Sequence, residues 1–242
     1  VSFKKAIKNN SKNADVYNNL GLTYIDLKKI DQAIPNFKKS IILDNNNPFY
    51  YNNLGTAFLQ LNKLDEAEHN LIKTIELKSN FFLAYNNLGL IYKKIKNFEK
   101  NLEYFNKCIE ANSNFPDVYH NLGETYQEIG NLDFAISNYE SCIEKNPYSL
   151  ETINSLAHMY KIKGMYEKSI KLYENSITIN PNNSEAYNNL GNLKIIKKEF
   201  NEASEYFKKS YELNSKNSLA LSSYFFCKMS LCDWKEKDKF FK

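Results

Sequence analysis

A five-residue signature returns at a fixed interval, and that interval constrains the fold more than any other property of the chain. Tyr17-Asn18-Asn19-Leu20-Gly21 recurs as Tyr51-Asn52-Asn53-Leu54-Gly55, as Tyr85-Asn86-Asn87-Leu88-Gly89 and as Tyr119-His120-Asn121-Leu122-Gly123. A degenerate copy, Ile153-Asn154-Ser155-Leu156-Ala157, precedes Tyr187-Asn188-Asn189-Leu190-Gly191. Every step is 34 residues. A unit of that length holds two helices and a turn, too little to enclose a core. Stacking on a neighbour buries the face that one unit leaves open, so the period predicts a quasi-one-dimensional array. With only 7 Gly and 5 Pro in 242 residues, the chain has few breakers, which favours helices over strands.

Counting each repeat from Ala14, Pro48, Phe82, Pro116, Leu150 and Ser184 exposes its mechanics. In the first helix, positions 4, 7, 8 and 11 (Tyr17, Leu20, Gly21 and Tyr24) share one face at 100° per residue. Position 8 is small, which predicts a close crossing of two helices. The second helix carries Ala33 at position 20 and Phe37 at position 24. Their equivalents are Ala67 and Leu71, Ala135 and Tyr139, and Ala203 and Phe207. Pro147 and Pro181 at position 32 stop the second helix, because Pro cannot continue it. Asn101 replaces Ala at position 20 and Lys194 replaces an aromatic at position 11, so looser packing is expected in the third and sixth repeats.

These residues and their spacing resemble the tetratricopeptide repeat. The resemblance implies an all-α fold, a right-handed superhelical α-solenoid of helix-turn-helix repeats. It divides the chain into residues 1–13, the second helix of a truncated repeat; 14–217, six complete repeats; and 218–242, a degenerate seventh repeat or capping helix.

Composition narrows the function. The net charge is +4 and every basic residue is Lys; no Arg is present to read phosphates or guanines as a bidentate fork. Lys alternates with Asp and Glu along the helices, so no basic stripe forms and nucleic acid is not an expected partner. No apolar run approaches a membrane span, so no membrane is expected either. Cys108, Cys142, Cys227 and Cys232 form no CxxC pair, and Cys108 and Cys142 lie one period apart, as equivalent small buried residues would. An intracellular, reducing location, cytoplasmic or nuclear, follows as the expectation. His69, His120 and His158 fall in no zinc pattern, and no phosphate loop or nucleophile elbow is present. We expect no catalytic residue, metal or cofactor in this segment.

The informative surface is the other side of the first helices, at positions 2, 5, 6, 9, 12 and 13, which the resemblance places on the concave groove. Position 5 reads Asn18, Asn52, Asn86, His120, Asn154 and Asn188; position 6 reads Asn19, Asn53, Asn87, Asn121, Ser155 and Asn189. Asn is a poor helix residue. Ten Asn among these twelve places suggest a ladder of amides that donate and accept at once, gripping the backbone of an extended peptide. The competing account is a general Asn bias of the chain. Position 2 carries Asp15, Phe49, Leu83, Asp117, Glu151 and Glu185, which argues against the clamp for chaperone C-terminal carboxylates known in this family.

The last residues, with Cys232-Asp233-Trp234 followed by Lys235 to Asp238 and Phe240-Phe241, resemble the segment that closes the repeats of O-linked N-acetylglucosamine transferases. That resemblance implies a substrate-recognition arm for a glycosyltransferase domain lying elsewhere. A free-standing adaptor bridging partners is the alternative. Other proteins or extended peptides are the expected partners, with the convex face open to a homodimer. Trp234 is the only Trp. If it caps the array near Phe207 and Tyr211, its emission is blue-shifted and weakly quenched by iodide; the spectrum of a fully solvated indole would remove the capping assignment.

Overall fold

The computed structural model describes residues 13–232. Among these are thirteen helices and no strand. The first helices of successive hairpins are α1 (Ala14–Asp26), α3 (Pro48–Gln60), α5 (Phe82–Lys94), α7 (Pro116–Ile129), α9 (Leu150–Ile162) and α11 (Ser184–Ile196). The second helices are α2 (Ile30–Leu43), α4 (Leu64–Leu77), α6 (Phe98–Ala111), α8 (Leu132–Lys145), α10 (Tyr166–Ile179) and α12 (Phe200–Leu213). α13 (Ser218–Ser230) follows α12; residues 1–12 and 233–242, Trp234 among them, lie outside the described residues. The chain divides into two compact units after Thr125, within α7. Each is an all-α stack of hairpins, the architecture of a repeat solenoid.

Asn starts and stops these helices. Asn13, Asn47, Asn183 and Asn217 cap first helices, each accepting a backbone N–H of the first turn. Asn97 and Asn131 do the same for α6 and α8. Such a side chain satisfies a donor that the helix leaves unpaired. At the other end, position 31 holds Asp44, Asn112, Asn146, Asn180 and Asn214, whose side chains accept the N–H two residues on. That local bond turns the chain into the next repeat.

Every first helix ends on a left-handed residue at position 15: Lys28, Asn62, Lys96, Gly130, Gly164, Lys198 and Cys232. The following N–H reaches back to the carbonyl five residues earlier, as in Lys29 to Tyr24, Asn97 to Tyr92 and Met165 to Tyr160, all at 2.8–2.9 Å. These bonds close the last turn and absorb orphan carbonyls. Only two of the seven are Gly. The others hold an L side chain in a conformation that disfavours it.

Position 24 fills the interior of the hairpin. A Cβ built on Gly21, Gly55, Gly89 or Gly191 would fall 2.5, 2.8, 2.4 or 2.8 Å from Phe37, Leu71, Phe105 or Phe207. Position 8 is thus small mainly to seat the position-24 side chain on bare backbone. Position 20 lies fully buried beside it, as Ala33, Ala67, Ala135 and Ala203. The expected loosening at Asn101 is not what the structure has. Asn101 is fully buried, and its amide donates to the Gly89 carbonyl at 2.8 Å. Ser169, at position 20 of the fifth repeat, donates to the Ala157 carbonyl in the same way at 2.7 Å. Lys194 likewise leaves no opening: its side chain is 12% exposed and paired with Glu199 at 2.7 Å and Glu202 at 2.6 Å. In the third and fifth repeats position 11 is aromatic and position 19 supplies a cation, Lys100 over Tyr92 and Lys168 over Tyr160. In the sixth, position 11 supplies the cation and position 19 the acid, Glu202.

Two substitutions test these constraints. Gly89→Ala drives a methyl into Phe105 and is expected to cost about 1–3 kcal/mol, recovered in part by adding Phe105→Leu. Lys96→Gly relieves the left-handed turn and is expected to raise stability by about 1 kcal/mol. Urea unfolding of the single and double variants measures both; a neutral Gly89→Ala contradicts the packing account.

Candidate functional site

The first helices of residues 13–125 carry the amide rows, and the two rows have different surroundings. At position 5, Asn18, Asn52 and Asn86 are only 8%, 7% and 7% exposed. They do not line an open groove, contrary to the expectation for that row. Position 6 reaches across the joint between repeats instead. Asn53 donates to Asn18 Oδ1 at 2.8 Å, and Asn121 donates to Asn86 Oδ1 at 3.0 Å. Each pair is one rung between neighbouring first helices. The buried amide needs that partner, because an unpaired polar group away from water is costly. Asn19 lies exposed at the start of the row.

The joint between the second and third repeats departs from this pattern. Asn87 donates to Thr56 Oγ1 at 3.0 Å rather than to Asn52. The Asn52 side-chain oxygen is buried without a hydrogen-bond partner. Its amide nitrogen makes a long bond of 3.5 Å to Asn53. The position-6 amide at this joint is therefore held by one hydroxyl and is not locked into the ladder.

The same joint differs at position 2. Asp15 and Asp117 are exposed there in the first and fourth repeats, as are Glu151 and Glu185 in the fifth and sixth. Acids are favoured in a first turn by the positive end of the helix dipole. Phe49 and Leu83 give up that interaction while remaining 52% and 37% exposed. Phe49 packs edge-on against Phe81 with ring centroids 5.1 Å apart, and the Lys78 ammonium lies 5.7 Å from both rings. One helical turn separates Phe49 from Asn52 and Asn53, and Leu83 from Asn86 and Asn87, so each apolar group shares a face with its amides. Leu219 takes position 2 in α13, also exposed. Sequence reasoning used Phe49 and Leu83 only to argue against a carboxylate clamp. The signal available was their contrast with the acids in the same column.

His120, at position 5 of the fourth repeat, faces an acid. Its Nε2 lies 3.6 Å from Glu124 Oε1, and Lys93 from the preceding repeat reaches Glu124 Oε2 at 2.6 Å. His120 and Lys93 together hold the Glu124 carboxyl down to about 2, against the opposing effect of burial. Tyr50 donates to Asp15 Oδ1 at 2.6 Å; burial first, then Asp15, pushes its hydroxyl up to about 12. These groups tie repeats together.

In residues 126–232 the amides are arranged differently. Asn154 accepts from Ser176 at 2.9 Å, and Asn189 accepts from Lys161 at 3.4 Å. Asn188 and Ser155 are half-buried in the same rows. His158, at position 9, has its imidazole pushed down chiefly by burial and further by Lys161. Cys108 and Cys142, both at position 27, are buried and outside any disulfide; burial raises Cys108 to about 12 and keeps it protonated. Among the described residues no helix is long and apolar enough to cross a membrane.

Tetratricopeptide repeat profiles match residues 14–47, 50–81, 83–115, 104–136 and 184–217, and a further TPR profile matches 157–195. Together they span well over half of the chain. The chain belongs to the tetratricopeptide repeat family. No curated protein is detectably similar to it in sequence. Among solved structures it resembles pilF of Pseudomonas aeruginosa, with a TM-score of 0.75 and 18% identity over 90% of this chain and 97% of that one. It also resembles the Cut9–Hcn1 hetero-tetramer of the APC/C, with a TM-score of 0.73 and 17% identity over 93% of this chain. This TPR chain spans only 45% of that relative's length. YrrB, described as a TPR protein with an unusual peptide-binding site, follows with a TM-score of 0.65 and 21% identity, over 77% of this chain and 96% of that one. At these identities the likeness is one of fold, that of a TPR solenoid.

The ladder makes a prediction that separates its rungs. Asn121→Ala strands the buried Asn86 oxygen and is expected to cost about 1–3 kcal/mol, whereas Asn19→Ala is close to neutral. Denaturant unfolding of the two variants distinguishes them. Glu124 has a depressed folded pKa, so its contribution is present above the ordinary carboxylate pKa and is lost as pH falls from there toward about 2. The acid limb of the stability profile should therefore flatten in Glu124→Gln.

Proposed function

We propose that this TPR chain is an adaptor that binds extended polypeptide along the inner positions of its first helices, with residues 14–217 acting as six repeats and Ser218 beginning a seventh. The observation that carries the reading is the second–third repeat joint. There the Asn87 amide, held by the Thr56 hydroxyl, lies one helical turn from the exposed Leu83 on α5, and the exposed Phe49 holds the same column on the neighbouring α3. A primary amide offers both a donor and an acceptor to a peptide backbone whatever its sequence. The apolar groups supply the area that binding energy requires.

The ladder of equivalent grips expected from the amide columns narrows in this proposal to one joint. Asn53 and Asn121 serve the scaffold, and Asn87 serves the ligand. The second reading, the substrate arm of an O-linked N-acetylglucosamine transferase, rests on Cys232, Asp233 and Trp234, on the helix expected to carry them and on the Asn ladder. Cys232 is the left-handed residue after α13, and the next two residues lie outside the described region. None of the three structures above is described as a glycosyltransferase. The adaptor reading accounts for the same residues without a catalytic domain.

Hydrogen exchange on the whole chain, with and without a pool of unstructured peptides, tests the proposal. Added protection is expected in α3 and α5. Asn87→Ala is expected to weaken binding by about 0.5–1.5 kcal/mol with unchanged helicity. Protection confined to second helices, or affinity indifferent to Asn87, would overturn it.

A further inference from the structure

The inner face of residues 13–125 carries a pattern more selective than a general peptide grip. Along the position-2 column the four rungs read acid, apolar, apolar, acid: Asp15, Phe49, Leu83, Asp117, all outside the buried core. The two apolar rungs stand at the joint where the position-6 amide, Asn87, meets the Thr56 hydroxyl rather than another amide. Asp15 accepts the Tyr50 hydroxyl through Oδ1, which fixes where its carboxylate stands. Asp117 lies in the first turn of α7. Adjacent helices pack about 8–10 Å apart. A chain extended as polyproline II advances about 3.1 Å per residue and returns a side chain to the same face every third residue. Three residues of such a segment therefore cover one repeat.

We propose that this face selects an extended segment with two large apolar residues three apart, each followed outward at the same interval by a basic residue. The pattern is basic-x-x-apolar-x-x-apolar-x-x-basic. The apolar pair sits on Phe49 and Leu83, the basic ends lie against Asp15 and Asp117, and Asn87 holds the backbone between them. The proposal rests on the groove reading above and adds to it the chemistry of the partner. Two features favour this occupant over other extended segments. Phe49 and Leu83 forgo the helix-dipole stabilisation that an acid at position 2 would have, leaving apolar surface where a charge is the local preference. The carboxylates at either end attract cations and repel acidic chains, so a segment with acidic flanks meets like charge at both ends of the window.

The test uses the full chain and three ten-residue fluorescent peptides, read by anisotropy. The probe is Lys-Ser-Ser-Leu-Ser-Ser-Leu-Ser-Ser-Lys. One control replaces both Lys by Glu, and the other replaces both Leu by Ser. The probe is expected to bind at least about tenfold more tightly than either control, a difference of about 1.4 kcal/mol. Its advantage over the Glu-flanked control should shrink as salt is raised, because the flanking charges are open to solvent. Phe49→Ser/Leu83→Ser should abolish the preference for Leu over Ser. Asp15→Asn/Asp117→Asn should abolish the preference for Lys over Glu. None of the four residues belongs to the buried core, and circular dichroism verifies that the helices persist. Equal binding of the three peptides, or preferences untouched by these variants, overturns the proposal. If in that case Asn87→Ala still weakens all three peptides, the groove reading stands without the selectivity. If Asn87→Ala is also silent, both fall.

Discussion

The contact on which the rest depends is the seating of a position-24 side chain on the bare backbone of position 8. Phe37, Phe105 and Phe207 lie where the Cβ of Gly21, Gly89 and Gly191 would be. That contact sets how closely the two helices of a hairpin approach, and so fixes which side chains reach the neighbouring repeat. Position 20 completes the interior. Polar residues there donate to the position-8 carbonyl, Asn101 to Gly89 and Ser169 to Ala157, although the Asn101 oxygen stays buried without a hydrogen-bond partner. The first helices then stand at a spacing where an amide at position 6 reaches the amide at position 5 of the preceding repeat.

Much of the fold was legible in the sequence because a period of 34 multiplies weak signals. One Gly is uninformative; the same place occupied by Gly21, Gly55, Gly89, Gly123 and Gly191 is a constraint. What could not be read was which partner each polar group takes. Asn101 and Lys194 break the apolar column and so resemble defects. Their compensation depends on partners reached only in three dimensions: a carbonyl twelve residues earlier for Asn101, and two carboxylates at the start of the following helix for Lys194. The left-handed turn at position 15 was hidden for a different reason. Gly130 and Gly164 mark it in two repeats, but Lys28, Lys96 and Lys198 occupy it elsewhere. There, backbone hydrogen bonds at the helix end impose a conformation that the residue type does not announce.

Asn illustrates the limit most clearly. A biased composition was one account of its abundance, and a peptide-gripping ladder was another. The structure assigns several separate tasks to it: caps at Asn13, Asn47 and Asn217, turns at Asn112 and Asn180, and inter-repeat rungs at Asn53 and Asn121. Each uses a short polar side chain, as an acceptor of backbone N–H in the caps and turns and as a donor in the rungs. Identity in a column therefore does not imply identity of role. Asn53, Asn87 and Asn121 are equivalent in sequence, yet two complete a rung and one does not.

That difference gives the second–third joint its standing. A buried amide oxygen without a partner costs about 1–3 kcal/mol, and at the joints on either side an amide of the next repeat supplies that partner. At Asn52 that partner is absent, and the adjacent position-2 residues, Phe49 and Leu83, give up a favourable interaction with the helix dipole as well. Two independent losses of stability coincide within one joint of an otherwise repetitive array. In a stack whose repeats interact only with their neighbours, such losses stay local and the frame on either side remains intact. A binding surface can then be built at one joint from residues that satisfy a ligand rather than each other.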